Sequence, residues 1–542
     1  MTGAGLTAAP GRADPAPTRA AGTPAAEPSR VVAGVPALLL RRPELLVAAG
    51  LFVVLLATAG RYGWFNDELY FIRAGQEPAW AYADQPFLNP VLLSLLHDLT
   101  GGHLVAVRAV AALASCACVV LVGSMAGSMG AGAAGRATAA GLWAGTGSAL
   151  VNGHVFVTGT FDLLASAAMC WCLVRAIATR DPRWVAVAGL ALGFGLTNKM
   201  LVGALAGCLA LALLLVGPRW VLRSRWTVIG AVPAVLAAAP YVYFQATHGW
   251  PQSSVAASIS TLAETRPPGQ LLAQLTMLSV PAVALWVGGV VHLFRTERLR
   301  PFRFFAVGYL LLLVSVLVLH GRGYYTNGVG PVLAALGGLA GEAWLRRGRA
   351  GRSTRVRRAA VAATLGVALA VGVVFSLPVI PAARLEASGV GRLNPMLIDE
   401  VGWRRVAETV AEVHRSVPTA QRDETVVLTT SYASAGAVDV YGPDLGLPRA
   451  FSGHNGYGAW GPPTGDGPVI LVGFESPAAV SGAFRGCRPA AVTDNGLGLT
   501  NSTQGLPVLL CAGPLRPWPE LWPELVHHDL GLDRTLPGAG SS

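Results

Sequence analysis

Apolar runs of about 17 to 25 residues recur from Pro43 to Leu377, joined by short polar segments, and this repetition leaves few folds open. One run of that length crosses the roughly 30 Å hydrocarbon core of a bilayer as a helix. Spans are expected near residues 43–60, 103–123, 137–153, 162–178, 184–198, 200–216, 227–244, 271–293, 303–320, 328–345 and 359–377. With 53% hydrophobic and only 13% charged residues among 542, the composition excludes a cytosolic enzyme, a fibrous protein and a disordered chain. The expected fold is a polytopic α-helical membrane protein of about 11 transmembrane helices.

The net charge of +11 is topological rather than a footprint for nucleic acid. Arginines gather in alternate joins: Arg175, Arg180 and Arg183, then Arg219, Arg223 and Arg225, then Arg295, Arg298, Arg300 and Arg303, then seven from Arg346 to Arg358. The positive-inside rule makes those joins cytoplasmic and puts the N-terminus inside. Residues 1–42, rich in Ala, Pro, Thr and Gly, have no apolar core and read as a disordered cytoplasmic tail. Residues 43–377 form the transmembrane domain.

An odd number of spans puts residues 378–542 outside. There 16 acidic residues face 11 arginines and the apolar runs shorten to strand length. Residues 403–413 read as an amphipathic helix, and residues 425–430 and 468–473 as buried strands, which predicts a small extracytoplasmic α/β domain. Cys487 and Cys511 fall in it, where an oxidising compartment permits but does not require a disulfide. The other five cysteines lie in predicted spans and read as small packing residues.

The first outer loop, residues 61–102, is long for a join between two spans and holds five of the thirteen acidic residues that precede Pro378. Asp67 and Glu68 follow directly on the first span, and Asp84 and Gln85 follow Trp80 and Tyr82. A solvated acidic loop accounts for Glu77 and Asp98. Asp67 is different, because it lies between Trp64, Phe65 and Tyr70 at the membrane boundary, where partial desolvation raises a carboxylate's proton affinity. Such a group can serve as a general base.

Of 40 basic residues one is a lysine, Lys199, at the outer end of a span. A compact ammonium kept at that boundary suits a phosphate contact, and a snorkelling interfacial cation is the plainer alternative. Arg108, one to two turns into the second span, is a further candidate for the same anion, since charge inside a membrane is costly and usually functional. Asp162, at the outer start of a span, reads equally as a substrate contact or as a helix-start residue favoured by the dipole.

In chain order the segments FNDELYF, WAYADQPFLNP, Arg108, GTFDLLAS, GLTNKM, QATHGWP and GRGYYTNGVGP resemble glycosyltransferase family 39. These are integral-membrane enzymes of GT-C fold, related to protein O-mannosyltransferases and lipid A aminoarabinose transferases. The resemblance implies transfer of a sugar from a polyprenyl-phosphate donor to an extracytoplasmic acceptor, with inversion. It matches Asp67 to the family's catalytic aspartate and Glu68 to the neighbouring position. It places Lys199, Arg108, Arg322, Tyr324 and Tyr325 at the donor phosphate, although an interfacial aromatic belt explains either tyrosine alone. Asp84, Gln85, Asp162 and His248 are the implied substrate contacts. His454 and Asn455, in GHNGYGAWGPP, are groups suited to sugar, with a packed turn-rich loop as the plainer alternative.

Phe87 follows Pro86 where members of the family commonly carry a second proline, so the donor sugar does not follow from the resemblance. The acceptor, whether protein, polysaccharide or glycolipid, is equally open. No fixed metal cluster is expected, though adjacent carboxylates are capable of holding Mg²⁺ or Mn²⁺ through oxygen. The rival reading is a lipid-linked sugar flippase or transporter, which requires ionisable groups near span centres. Most of the predicted spans have none.

Overall fold

The computed structural model of the chain describes residues 1–3, 5, 41–348 and 351–529; the tail expected over residues 1–42 lies almost wholly outside the described residues. Lipid offers no hydrogen-bond partner, so a spanning backbone must close on itself as helix. Among the described residues, six helices are long and apolar enough to cross a bilayer: Leu104–Ser128, Thr158–Thr179, Arg225–Thr247, Glu297–Val318, Gly323–Arg346 and Arg352–Ser376. The pair Pro267–Leu278 and Val280–Arg295 is long and apolar enough only when taken together, and it is bent by 76°. The bend falls at Ser279, whose φ of 70° no α-helix accommodates. Three shorter apolar helices, Glu44–Ala59, Arg183–Leu196 and Leu201–Leu215, occupy other expected spans.

The expected count of eleven departs at residues 137–153, which form two helices, Ala133–Ala144 and Gly147–His154. Gly145 ends the first, and the Thr146 hydroxyl caps the second by accepting from the Ala149 amide at 3.1 Å. The apolar run hides this break because neither residue is charged.

The join expected as a loop over residues 61–102 also departs, since it holds two helices, Asn66–Gln76 and Leu88–Thr100. The first is capped from within, the Glu68 carboxylate accepting from the Phe65 amide at 2.8 Å. Its residues from Glu68 to Ala74 are all buried, the charged Glu68 and Arg73 among them.

That helix is buried between its neighbour Leu88–Thr100, whose Pro90 and Ser94 pack on Gly75, and the C-terminal region. Among the described residues of that region lie seven strands, β1 (Val426–Thr429), β2 (Ala450–Ser452), β3 (Val469–Val472), β4 (Phe484–Arg485), β5 (Arg488–Val492), β6 (Pro507–Cys511) and β7 (Gly513–Pro514). Five form one sheet in the order β2-β1-β3-β6-β5, with β1 parallel to both its neighbours and β6 antiparallel to β3 and β5. β1 and β3, buried at every position, are the two strands read from the sequence. The helix Trp403–Ser416 extends the expected one by a turn, and a disulfide joins Cys487 to Cys511.

The described residues from Arg42 onward make one compact unit. A single buried cluster runs from Trp64, Leu69 and Tyr70 to Trp403, Val427 and Ala433. Each large apolar side chain buried in it contributes about 1.5–3 kcal/mol. A close backbone approach is made by the helix Tyr432–Tyr441, where a Cβ on Gly436 would meet the backbone of Leu69 at 2.9–3.0 Å. Gly436→Val is therefore expected to cost about 1–3 kcal/mol by forcing the two helices apart, read as a lowered Tm in detergent. Gly366→Ala, which meets nothing within 4 Å, is the matched control and leaves Tm unchanged or slightly raised.

Candidate active site

Asp67 stands in the first turn of the helix Asn66–Gln76, where the helix dipole favours an acidic side chain. It lines a cavity of about 150 Å³ together with Asp162, Lys199, Arg322, Tyr324 and Asn327. The membrane helices bring these residues to one place by their breaks. Lys199 lies where Arg183–Leu196 gives way to Leu201–Leu215, and Arg322 opens the turn before Gly323–Val329. A break frees backbone and polar side chains that a continuous lipid-facing helix would have to hide.

The Lys199 ammonium donates to the Thr158 hydroxyl at 3.2 Å and lies 5.5 Å from the ring centre of Tyr324 and 5.9 Å from that of Tyr325. Both tyrosines thus meet the lysine, through cation–π contact. Arg322 has its Nε 3.5 Å from the Glu264 carboxylate. Asp162 does not cap its own helix. It lines the cavity, and its carboxylate accepts from the Val202 amide at 3.1 Å, so the helix dipole that favours it is that of Leu201–Leu215 rather than its own.

The Asp67 carboxylate accepts a hydrogen bond from the Tyr432 hydroxyl at 2.9 Å. Burial pushes its proton affinity up, while the Tyr432 hydrogen bond and the charges of Arg322 and Lys199 pull it back, leaving it above the usual carboxylate range. Asp84 does not line this cavity; it accepts from the Tyr70 hydroxyl at 2.9 Å, and burial raises its carboxyl to about 7. Gln85 is buried in the adjoining turn, its carbonyl accepting from the Tyr82 amide at 2.9 Å.

Glu68 and Arg108 stand elsewhere than expected. Both are fully buried outside the cavity lining, paired at 2.7 Å. Arg108 donates to both Glu68 oxygens, to Glu400 at 3.0 Å and to the carbonyls of Ala59 and Gly63 at 3.1 and 2.8 Å. Those contacts use its five N–H groups, so none remains for a lipid phosphate. Glu68 accepts from Arg108 and from the amides of Phe65 and Phe156, so Asp67 and Glu68 do not form one oxygen cage for a cation. Glu400 and His154, whose ring nitrogen lies 3.0 Å from Glu400, complete the cluster.

His248 is exposed at a helix end and stacks on Phe244 at 4.1 Å, away from the cavity. His454 and Asn455 lie behind Tyr432, with the His454 Nδ1 accepting from the Tyr432 amide at 3.2 Å and the Asn455 amide donating to the His527 carbonyl at 2.9 Å. His454, His527 and Asp529 cluster, but both His454 nitrogens are engaged by backbone, the second with the Asp529 carbonyl at 2.8 Å. Tyr432 and Glu400 carry no sequence signal, since their partners lie hundreds of residues away.

A second, mostly apolar cavity of about 200 Å³ shares Val151 and Met277 with the first and is otherwise walled by residues such as Val280, Val371 and Phe375. The polar site thus adjoins an apolar recess between membrane helices.

Residues 84–244 match the family model described as dolichyl-phosphate-mannose-protein mannosyltransferase. No curated protein matches the chain in sequence. In fold the chain is similar to ArnT from Cupriavidus metallidurans in the apo state, with a TM-score of 0.53 at 14% identity over 89% of this chain and 98% of that one. The same protein bound to undecaprenyl phosphate gives a TM-score of 0.51 at 14% identity, covering 86% and 97%. The chain therefore has the GT-C fold of a multi-pass membrane protein, in agreement with the family resemblance of its motifs.

Proposed function

We propose that the protein is a membrane glycosyltransferase that moves a sugar from a polyprenyl-phosphate donor to an acceptor hydroxyl on the outer face of the plasma membrane. The observation that carries the reading is one cavity in which a base, Asp67, meets two cations, Lys199 and Arg322, beside an apolar recess. Asp67 takes the proton of the acceptor hydroxyl as its oxygen bonds to the anomeric carbon. The bond from that carbon to the lipid phosphate breaks, its electron pair leaving with the phosphate. Attack opposite the leaving group inverts the anomeric centre. Lys199 and Arg322 stabilise the charge that builds on the departing phosphate, and the recess takes the first isoprene units. Support for a lipid of this class comes from ArnT, the protein of similar fold that was crystallised with undecaprenyl phosphate. The acceptor is a protein, polysaccharide or glycolipid hydroxyl, and no step requires a metal.

The deciding experiment is lipid mass spectrometry of a deletion strain complemented with the native gene or with Asp67→Asn. A polyprenyl-phosphate sugar should accumulate in the deletion and in the variant and fall with the native protein. Unchanged lipid-linked sugars together with a mislocalised lipid would favour a flippase instead.

Lys199→Gln is expected to lower kcat about 10²-fold, in line with loss of one electrostatic stabiliser of a developing anion. Transfer assays with a synthetic donor measure it. A change confined to KM would mean that the lysine contributes to ground-state binding only.

A further inference from the structure

We propose that Tyr432 is a positioning residue for the transfer, holding one oxygen of the Asp67 carboxylate so that the other faces the acceptor hydroxyl. The C-terminal region thereby takes part in the chemistry instead of only covering the site. The inference rests on Asp67 as the base.

The Tyr432 phenol, 2.9 Å from Asp67 Oδ1, makes the one hydrogen bond that this carboxylate accepts among the described residues. Oδ2 accepts none there, and Asp67 lines the cavity. Burial and the adjacent Asp67 charge hold the phenol far above its usual titration range, so it remains a donor at every working pH.

The fold shows why the phenol stands there. Tyr432 is the first residue of the helix that follows β1, with the Ser431 hydroxyl capping that helix by accepting from the Ser434 amide at 3.2 Å. It therefore sits at the carboxyl end of a parallel strand whose two neighbours, β2 and β3, lie on opposite sides. That is the switch point at which open α/β sheets place functional groups. Its ring packs 4.6 Å from that of Tyr70 and 4.6 Å from that of His454, and its amide donates to His454. One turn along, Gly436 admits the Leu69 backbone, and this contact brings the tyrosine level with Asp67. A tyrosine meant only to fill space needs neither the fixed amide nor the glycine.

Several charged or titratable groups bear on Asp67. Arg322 and Lys199 favour its ionised form and Asp399 opposes it. Asp162 and Tyr324 line the same cavity, and Asp84 acts on Tyr432. A phenol donating to the carboxylate favours the ionised form, so its removal raises the proton affinity of the base. Activity that needs the ionised base then starts at a higher pH.

The test compares pH–rate profiles of the purified full-length protein, native, Tyr432→Phe and with 3,5-difluorotyrosine at position 432. In Tyr432→Phe the acidic limb should move up by about one pH unit, so that kcat at a fixed pH on that limb falls about tenfold, with KM for the donor unchanged. Difluorotyrosine, a stronger donor of nearly the same size, should move the limb down. It also decides the matter if the phenylalanine variant does not fold. Acidic limbs at the native position would overturn the proposal, as would a loss of kcat without any shift. Asp67→Asn run alongside separates the failures. If that variant keeps its activity, the base assignment itself falls, whereas if it is inactive while the Tyr432 profiles stay put, only the role of Tyr432 falls.

Discussion

Asp67→Asn should abolish transfer, lowering kcat by about 10²–10⁴-fold, while the protein remains folded and inserted. The substitution keeps the size of the side chain and an oxygen able to accept from Tyr432, so the 2.9 Å contact need not be lost. The nearby cations keep other partners, Lys199 at Thr158 and Arg322 near Glu264. What disappears is the basic oxygen. Because Asp67 must be ionised to act and burial raises its proton affinity, native activity should fall on acidification at a pH above the usual carboxylate range. Turnover of a synthetic donor across pH, set beside thermal unfolding of the same preparations, measures both halves. Native turnover in the variant would remove Asp67 from the mechanism.

Glu68→Gln, one residue away, should do the opposite. Its carboxylate accepts from two Arg108 nitrogens and from the Phe65 and Phe156 amides, all at 2.7 to 3.1 Å with no solvent. A carboxamide offers one acceptor oxygen for these donors and leaves the guanidinium short of charge. Breaking a buried pair of this kind costs about 3–5 kcal/mol. The expected result is a steep loss of Tm and of folded yield in detergent, with turnover per folded molecule largely kept. Full stability with lost turnover would return Glu68 to the chemistry. The two neighbours therefore separate a role in reaction from a role in the fold.

Much of the architecture was legible because hydrocarbon imposes a simple condition. Long apolar runs declare themselves, and ten of the expected spans coincide with apolar helices or the bent pair. The broken segment at Gly145 and Thr146 was not legible, since small uncharged residues interrupt a helix without interrupting hydrophobicity. The loop helix Asn66–Gln76 was hidden because it lies in a polar join outside the apolar runs, and its burial between Leu88–Thr100 and the C-terminal region is a tertiary outcome.

The candidate site divides in the same way. Asp67 and Lys199 could be singled out from position and rarity, and Arg322, Tyr324 and Asp162 from their motifs; the cavity gathers all five. Arg108 and Glu68 share the same signals, a charge near the membrane and a carboxylate beside aromatics, yet they belong to a buried pair. Sequence shows that such a charge needs a partner and does not say whether the partner is a ligand or another side chain. That distinction depends on Glu400, 292 residues from Arg108.

By itself, then, the sequence determined the membrane-helix class, the two buried strands and the residue types brought to the site, because hydrophobic length, strand burial and isolated charges are local properties. Only the tertiary structure decided which charges face the cavity, that Tyr432 reaches Asp67 across 365 residues, and that the C-terminal region packs on the loop helix as part of one unit. Those outcomes depend on where a parallel strand ends and how closely Gly436 lets two helices approach, and neither is encoded within any single stretch of the chain.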